Sequence, residues 1–290
     1  MGLSMIKAEI VADSMAPNGC RLTTYILTYP RFIHSEFMTH RMFSRNASSS
    51  RAIPVKKQIQ MVIDNPAIPI AFTKNKAGMQ GGEALAGEAH DMAEWCWLKA
   101  REAAVGFATQ LASLDVHKQY ANRILEPFAH ITVICSATEY DNFFALRCHS
   151  AAQPEIQELA KFMYVARQVS LPVAMEEGEL HLPFVSDEEK QQCGEGLISN
   201  NDLVQMSVAR CARVSYLNHE GEKSSLEEDR TLYQRLVGSA PIHASPAEHQ
   251  ASAMTKGDES TFSGNFKGWT QYRKQLENEN IEKFTLTRQF

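Results

Sequence analysis

Residues 40–51 read His-Arg-Met-Phe-Ser-Arg-Asn-Ala-Ser-Ser-Ser-Arg, HRMFSRNASSSR. The strip holds three arginines, one histidine, one asparagine and four serines, with no acid among them. Guanidinium forks and hydroxyls are donors that phosphate oxygens accept well. The same residue types also suit a polar loop facing solvent. The rest of the chain decides between these readings.

The surrounding chain has 290 residues, 44 % apolar and 22 % charged. That is enough for one large domain or two small ones, with a sizeable core. The formal net charge is -5 and the pI about 6.1. A chain that coats nucleic acid is usually basic. Arginine clusters inside an acidic chain point instead to small anionic ligands, and no nucleic-acid partner is expected. The six cysteines, Cys20, Cys96, Cys135, Cys148, Cys193 and Cys211, include no CxxC pair. Several sit in apolar contexts, which fits buried thiols in a reducing, cytoplasmic setting. The start, MGLSMIKAEIVADSM, lacks the apolar run of a signal peptide, and Lys7 with an early strand argues against myristoylation at Gly2. No stretch approaches the roughly 18 apolar residues of a membrane span.

Working outward from the strip, residues 6–14 and 21–28 read as strands joined by a turn at Pro17-Asn18-Gly19. Phe32, Ile33, Phe37, Met38 and Phe43 recur at helical spacing, which predicts a helix over 31–45. Further helices are expected over 56–63, 83–114 and 118–125. ITVICSA reads as a strand. Residues 141–170 read as helix broken near His149 and restarted at Pro154, since proline suits a first helical turn. Residues 171–206 read as loops ending in a short strand or helix. A helix over 226–238 ends at glycine, and another should start after Ser245. There is no repeat, low-complexity tract or clean linker. The expectation is an α+β fold over 1–290: a single intertwined domain with a mainly antiparallel sheet and long packed helices.

Two further clusters carry chemistry. His243–His249 reads HASPAEH, where Ser245, Pro246 and Glu248 have the spacing of a capping box. His243, Glu248 and His249 fit none of the strong zinc spacings, and no metal is expected. A helix start can also hold a phosphate or an electron-rich ring edge. The other cluster runs from Asp141 to Ile156, with Asn142 and Arg147 flanking one strip if the segment is helical.

Together these pieces resemble the flavin-dependent thymidylate synthases. That family's signature is Arg-His-Arg, two residues, Ser, one residue, Asn-Glu, one residue, Ser, one residue, Arg. Here His40, Arg41, Ser44, Asn46, Ser49 and Arg51 match in register, while Thr39 and Ala47 stand where the first arginine and the glutamate would be. NFFALRCHSAAQPEI is similar to the family's NF-x-x-LR-x-x-x-x-AQ-x-EI block. Ala212–Ser215 (ARVS) and HASPAEH resemble two more blocks, which in common members precede the arginine signature. Here they follow it by about 160 and 190 residues. The simplest account is a circularly permuted relative, tolerated where termini lie close together. Residues 60–115 and the last thirty match weakly. GNFKGWTQYRK has no role by this comparison and reads as a helical surface stretch with Trp269 and Tyr272 packed beneath.

The resemblance implies FAD-dependent methylation of dUMP to dTMP, with methylenetetrahydrofolate as one-carbon donor and NADPH as reductant. It places Ser49, Arg51 and Arg123 at the nucleotide, the last because YANRILEP is similar to the family's AR-x-x-LP segment. Arg147 is the candidate for polarising the pyrimidine carbonyls as charge builds there, and cannot act as a base. Arg147 and Ser49 are thus the catalytic candidates. His40, Arg41, Asn142, Ser215, His243, Ser245 and Glu248 are the flavin candidates. Glu36 or Arg45 could compensate for the lost glutamate and arginine, with Glu36 counted toward the substrate. Cys148 is not needed as a nucleophile. The family is homotetrameric, with sites built at subunit contacts. Alternatives stay open: methyl or hydroxymethyl transfer to another pyrimidine nucleotide such as dCMP, a nucleotide-binding protein without catalysis, or a nucleic-acid-binding module. Cytosine and uracil differ only at N3 and C4, so one reshaped hydrogen-bonding pair would exchange them.

Overall fold

Two strands joined by the Pro17-Asn18-Gly19 turn begin the fold. The computed structural model describes residues 5–214, 222–239, 241–255 and 262–279. Strand β1 is Lys7–Met15 and β2 is Arg21–Pro30. Gly19, at φ 83°, takes the left-handed conformation such a turn requires. Beyond a 3-10 turn at Arg31–Ile33 come α1 (His34–Phe37), β3 (Ser44–Ala47), α2 (Val55–Asp64), α3 (Glu88–Ser113) and α4 (Lys118–Ala121). A 3-10 stretch, Asn122–Phe128, leads to β4 (His130–Ala137), α5 (Asp141–Arg147), α6 (Pro154–Val169), β5 (Val173–Ala174) and β6 (Leu180–His181). The chain continues through α7 (Asp187–Gly194), α8 (Asn200–Arg213), α9 (Leu226–Val237), a 3-10 turn at Ser245–Glu248, β7 (Ala251–Ala253) and β8 (Trp269–Gln271).

The main sheet has the order β3-β4-β2-β1-β5. All its pairings are antiparallel except the short parallel contact of β1 with β5. A smaller antiparallel sheet has the order β6-β7-β8. The fold is α+β, with a mainly antiparallel sheet and long helices.

Strand alternation sorts β2 and β4 onto two covered faces. Tyr25, Leu27, Tyr29, Val133 and Cys135 pack against α5 and α6. Ile26 and Ile134 meet Phe184, Cys211 and Val214 on the other side. Helix α6 shows why it docks: Ile156, Leu159, Ala160 and Met163 recur at helical spacing and are all buried. The Tyr25 hydroxyl donates to the Met163 carbonyl at 2.9 Å, tying helix to strand.

Several expectations needed correction. The helix foreseen over 31–45 closes by Phe37, and Arg45 lies in β3. Helix α8, within and beyond the segment read as mostly loops, has Ser199 and Asp202 as a reciprocal capping box. No α-helix starts at Ser245. The 3-10 turn there has no side-chain cap, because the Ser245 hydroxyl and the Glu248 carboxylate are engaged elsewhere. GNFKGWTQYRK is not helical. It forms β8 and a 3-10 turn at Tyr272–Gln275, although Trp269 is fully buried and Tyr272 partly so. No helix among the described residues is long and apolar enough to cross a membrane.

Candidate functional site

Three side chains of the arginine strip hold the chain together. The Arg45 guanidinium donates to the carbonyls of Phe37, Met38 and His40 at 3.3, 2.8 and 3.0 Å. It closes the end of α1, as a cation does well at a helix C-terminus, and so is no replacement for the missing arginine at 39. The Asn46 amide donates to the Cys211 carbonyl at 2.7 Å, and its oxygen accepts from Ser245 Oγ at 3.3 Å. Ser50 donates to Glu126 Oε1 at 2.8 Å. Arg41, Ser49 and Arg51 are left exposed.

Between the turn after β1, residues 39–43, the start of α5 and Lys267 lies a cavity of about 560 Å³. Thr39, His40, Arg41 and Asn142 line it, so three of the flavin candidates share one space. His40 stands edge-on to the Phe143 ring, with centroids 4.8 Å apart, and its Nε2 accepts from Arg147 Nε at 2.9 Å. An accepting Nε2 requires the neutral imidazole with its proton on Nδ1. Burial first, then the Arg147 and Arg45 charges, pushes the His40 pKa down to about 4. Arg147 approaches Glu36 Oε2 at 3.5 Å and Thr39 Oγ1 at 3.5 Å. Arg147 does not line this cavity itself; it holds His40 and Glu36 beside it.

A second cavity, about 400 Å³, is lined by Arg31, His34 and Arg123 together with Glu126. Glu126 accepts from Arg123 at 3.0 and 3.2 Å and pairs with Arg31 at 3.0 Å. Burial, Arg31 and Arg45 lower the His34 pKa. Asn122 donates to the carbonyls of Ser50 and Ile53, anchoring the loop that carries Ser49 and Arg51 to this region. The three nucleotide candidates thus lie on segments tied together through Asn122 and Glu126.

The later blocks fold onto the same sheet. Arg213 pairs with the buried Asp229, while Ser215 lies outside the described residues. His243 is exposed. Glu248 pairs with Arg273, and Gln271 donates to the Glu248 carbonyl at 3.0 Å. Contact between Ser245 and Asn46 brings this block beside the strip, yet His243, Ser245 and Glu248 do not line the cavity of His40 and Arg41. Behind them, His249 Nδ1 meets Ser136 Oγ at 2.8 Å. His181 bridges Ser14 Oγ at 2.9 Å and Thr24 Oγ1 at 2.8 Å. Both rings are fully buried, and burial pushes both pKa values down to about 3.

Sequence reasoning did not reach Lys267, Arg273, Arg31 or His34. For Lys267 the only local signal was the glycine that follows it, which marks a turn but says nothing of the strip the turn packs against. Burial raises the pKa of the Cys148 thiol, which disfavours the thiolate that a nucleophile would need.

Among solved structures, the chain is similar to a UMP/dUMP methylase, PolB, from Streptomyces cacaoi bound with 5-Br UMP. Identity is 18 % and the TM-score 0.49, covering 57 % of this chain and 89 % of that one. A second structure of that methylase, bound with 5-Br dUMP, gives 21 % identity and a TM-score of 0.43, covering 51 % and 66 %. No curated protein matches the chain. The family described as thymidylate synthase complementing protein matches residues 18–173. That span holds the arginine strip, Arg123 and the Asn142–Ile156 block, and covers 156 of the 290 residues. The chain belongs to the thymidylate synthase complementing protein family.

Proposed function

We propose that the protein is a cytoplasmic enzyme that methylates dUMP to dTMP, with FAD bound, methylenetetrahydrofolate as one-carbon donor and NADPH as reductant. The observation that carries this reading is the cavity lined by His40, Arg41 and Asn142, inside the span that shows the family. Its volume of about 560 Å³ falls within the range of cofactor sites. Its exposed Arg41 and neutral His40 fit the pyrophosphate and polar edges of a flavin nucleotide. Bound FAD would supply the hydride that completes the methyl group.

The chain's own residues supply grip and polarisation. Ser49, Arg51 and Arg123 take the nucleotide phosphate, Arg123 from the second cavity, where Glu126 holds it beside Arg31. Arg147, always protonated, stabilises charge on the pyrimidine carbonyls as C5 attacks the one-carbon unit. His40 and Glu36 fix its direction.

Ser215, His243, Ser245 and Glu248 belong to the same FAD site in this reading, but come from a neighbouring copy of the chain in a homotetramer. Two features support that arrangement. Ser245 and Glu248 lie outside the cavity that holds His40 and Arg41. On α6, Phe162, Val165 and Val169 form an exposed apolar stripe opposite the buried face, a surface that suits burial against another copy. The order of the blocks is read as a circular permutation of the family's arrangement within one intertwined domain.

A second reading, transfer to dCMP, is favoured by Thr39 and Ala47 standing where the signature carries charge. The visible spectrum of purified protein tests the cofactor. A yellow protein whose FAD is released on denaturation is expected, and a colourless protein that fails to take up added FAD contradicts the reading. Titration with dUMP and dCMP then ranks the nucleotides.

A further inference from the structure

The cavity has a wall that the family match does not reach. Residues 265–271 lie well beyond position 173, and they are fastened at several points around the cavity mouth. Asn265 Nδ2 donates to the Met42 carbonyl at 2.8 Å, and Asn265 Oδ1 accepts from Ser44 Oγ at 3.0 Å. The Lys267 amide donates to Thr138 Oγ1 at 3.1 Å. The Gly268 carbonyl accepts from Asn18 at 2.9 Å, and the Trp269 indole donates to the Cys20 carbonyl at 3.1 Å. Gly268 has φ 75°, and a Cβ there would meet Asn18 and Cys20 atoms at 2.7 Å. Only glycine lets the segment lie this close. The Lys267 side chain is therefore presented by a pinned loop.

Charge in the cavity is unevenly committed. Arg21 is held by Asp13 through two hydrogen bonds. Arg167 lies over the Tyr140 ring. Among the described residues, the side chains of Arg41 and Lys267 make no ion pair or hydrogen bond, although Glu139 and Asp141 also line the space. Thr39, which stands where the family signature has an arginine, lines the same cavity.

We propose that Lys267 binds a phosphate group in this cavity alongside Arg41, replacing from the C-terminal segment the cation that Thr39 does not provide. The inference rests on the cavity's being the cofactor or nucleotide site. With the flavin in this cavity, as proposed above, its phosphate is the pyrophosphate of a flavin nucleotide; were the pyrimidine nucleotide to occupy it instead, it would be that nucleotide's monophosphate.

Calorimetry with inorganic pyrophosphate tests the charge directly, using the intact protein and Lys267→Gln. Binding about tenfold weaker in Lys267→Gln at an unchanged melting temperature is expected. Recovery of most of that loss in Thr39→Arg/Lys267→Gln supports the replacement. Two paired titrations identify the source, FAD against riboflavin and dUMP against deoxyuridine. The loss should fall on the phosphorylated member of one pair and spare its partner. Equal pyrophosphate binding by intact protein and variant overturns the proposal, as does an equal loss for both members of each pair. If the intact protein binds neither FAD nor dUMP while its pyrophosphate binding still depends on Lys267, the proposed function fails and the phosphate site stands.

Discussion

Among single residues, the proposed catalysis turns on how Arg147 is held. Its guanidinium donates to a neutral His40 and faces Glu36, so its direction is set before any ligand arrives. A contact that strengthens during reaction lowers kcat when lost, whereas a uniform grip raises KM. Arg147→Ala should therefore bind flavin nearly normally and turn over at least ~100-fold more slowly. Arg51→Lys keeps the charge but loses the fork, and should chiefly raise KM for the nucleotide. Steady-state kinetics on both variants separate the two roles, and near-normal kcat in Arg147→Ala would remove Arg147 from the mechanism. The six signature matches identified where to look, but not which arginines were available. Arg45 resembled a ligand-binding residue in the sequence, and only the chain's return through β3 shows it spent on three carbonyls.

At the scale of elements, buried charge joins three helices. Arg210 on α8 donates to Glu189 on α7 at 2.8 and 2.9 Å and to Asp229 on α9 at 3.0 Å. Asp229 also takes Arg213. These groups are almost wholly removed from water. Burial pushes the Glu189 carboxyl up, but hydrogen bonds from Arg210 and the Ser186 amide, together with the charges of Arg210 and Lys223, hold it down at about 2. Removing one partner of such a network leaves charge uncompensated, typically at a cost of about 3–5 kcal/mol. Arg210→Leu should lower the urea midpoint accordingly, and a change below about 1 kcal/mol would show the network to be dispensable. Helix α6 was legible in the sequence because its apolar face had to be buried, and β2 and β4 because β-branched and aromatic runs suit strands covered on both faces. Helix α7 was not, since DEEKQQCG carries almost no apolar signal and is placed by its capping box and by Glu189. The turn at Ser245 misled for the opposite reason. Its residues have capping spacing, but tertiary partners, Asn46 and Arg273, take both side chains.

Across the whole molecule, two buried histidines bolt the second sheet to the first. His181 of β6 reaches Ser14 and Thr24, and His249, just ahead of β7, reaches Ser136. Their folded pKa values near 3 lie below the ordinary value of about 6.5. The unfolded chain then binds more protons as pH falls through about 6.5, so stability present at neutral pH is lost progressively toward pH 3. Each ring should contribute a loss of about 1–2 kcal/mol between pH 7 and 5. Urea midpoints at the two pH values measure it, and equal midpoints would contradict the buried neutral rings. Assembly belongs to the same scale. If α6 meets another copy, Val165→Glu/Val169→Glu should break a tetramer into smaller species and lose turnover together, as read by light scattering during size-exclusion chromatography. A wild-type monomer with full turnover would contradict the shared site. The contact of Ser245 with Asn46 within the chain was hidden in the sequence, because segments some 200 residues apart leave no local pattern.

The most direct measurement is conversion of dUMP by the purified protein, supplied with FAD, NADPH and methylenetetrahydrofolate carrying an isotopic label on its one-carbon unit, with products resolved by mass spectrometry. dTMP bearing the label on its methyl group is expected, formed only when all three are present, and abolished or slowed at least ~100-fold in Arg147→Ala. Unchanged dUMP under these conditions, or label transferred equally well by Arg147→Ala, would contradict the proposed catalysis.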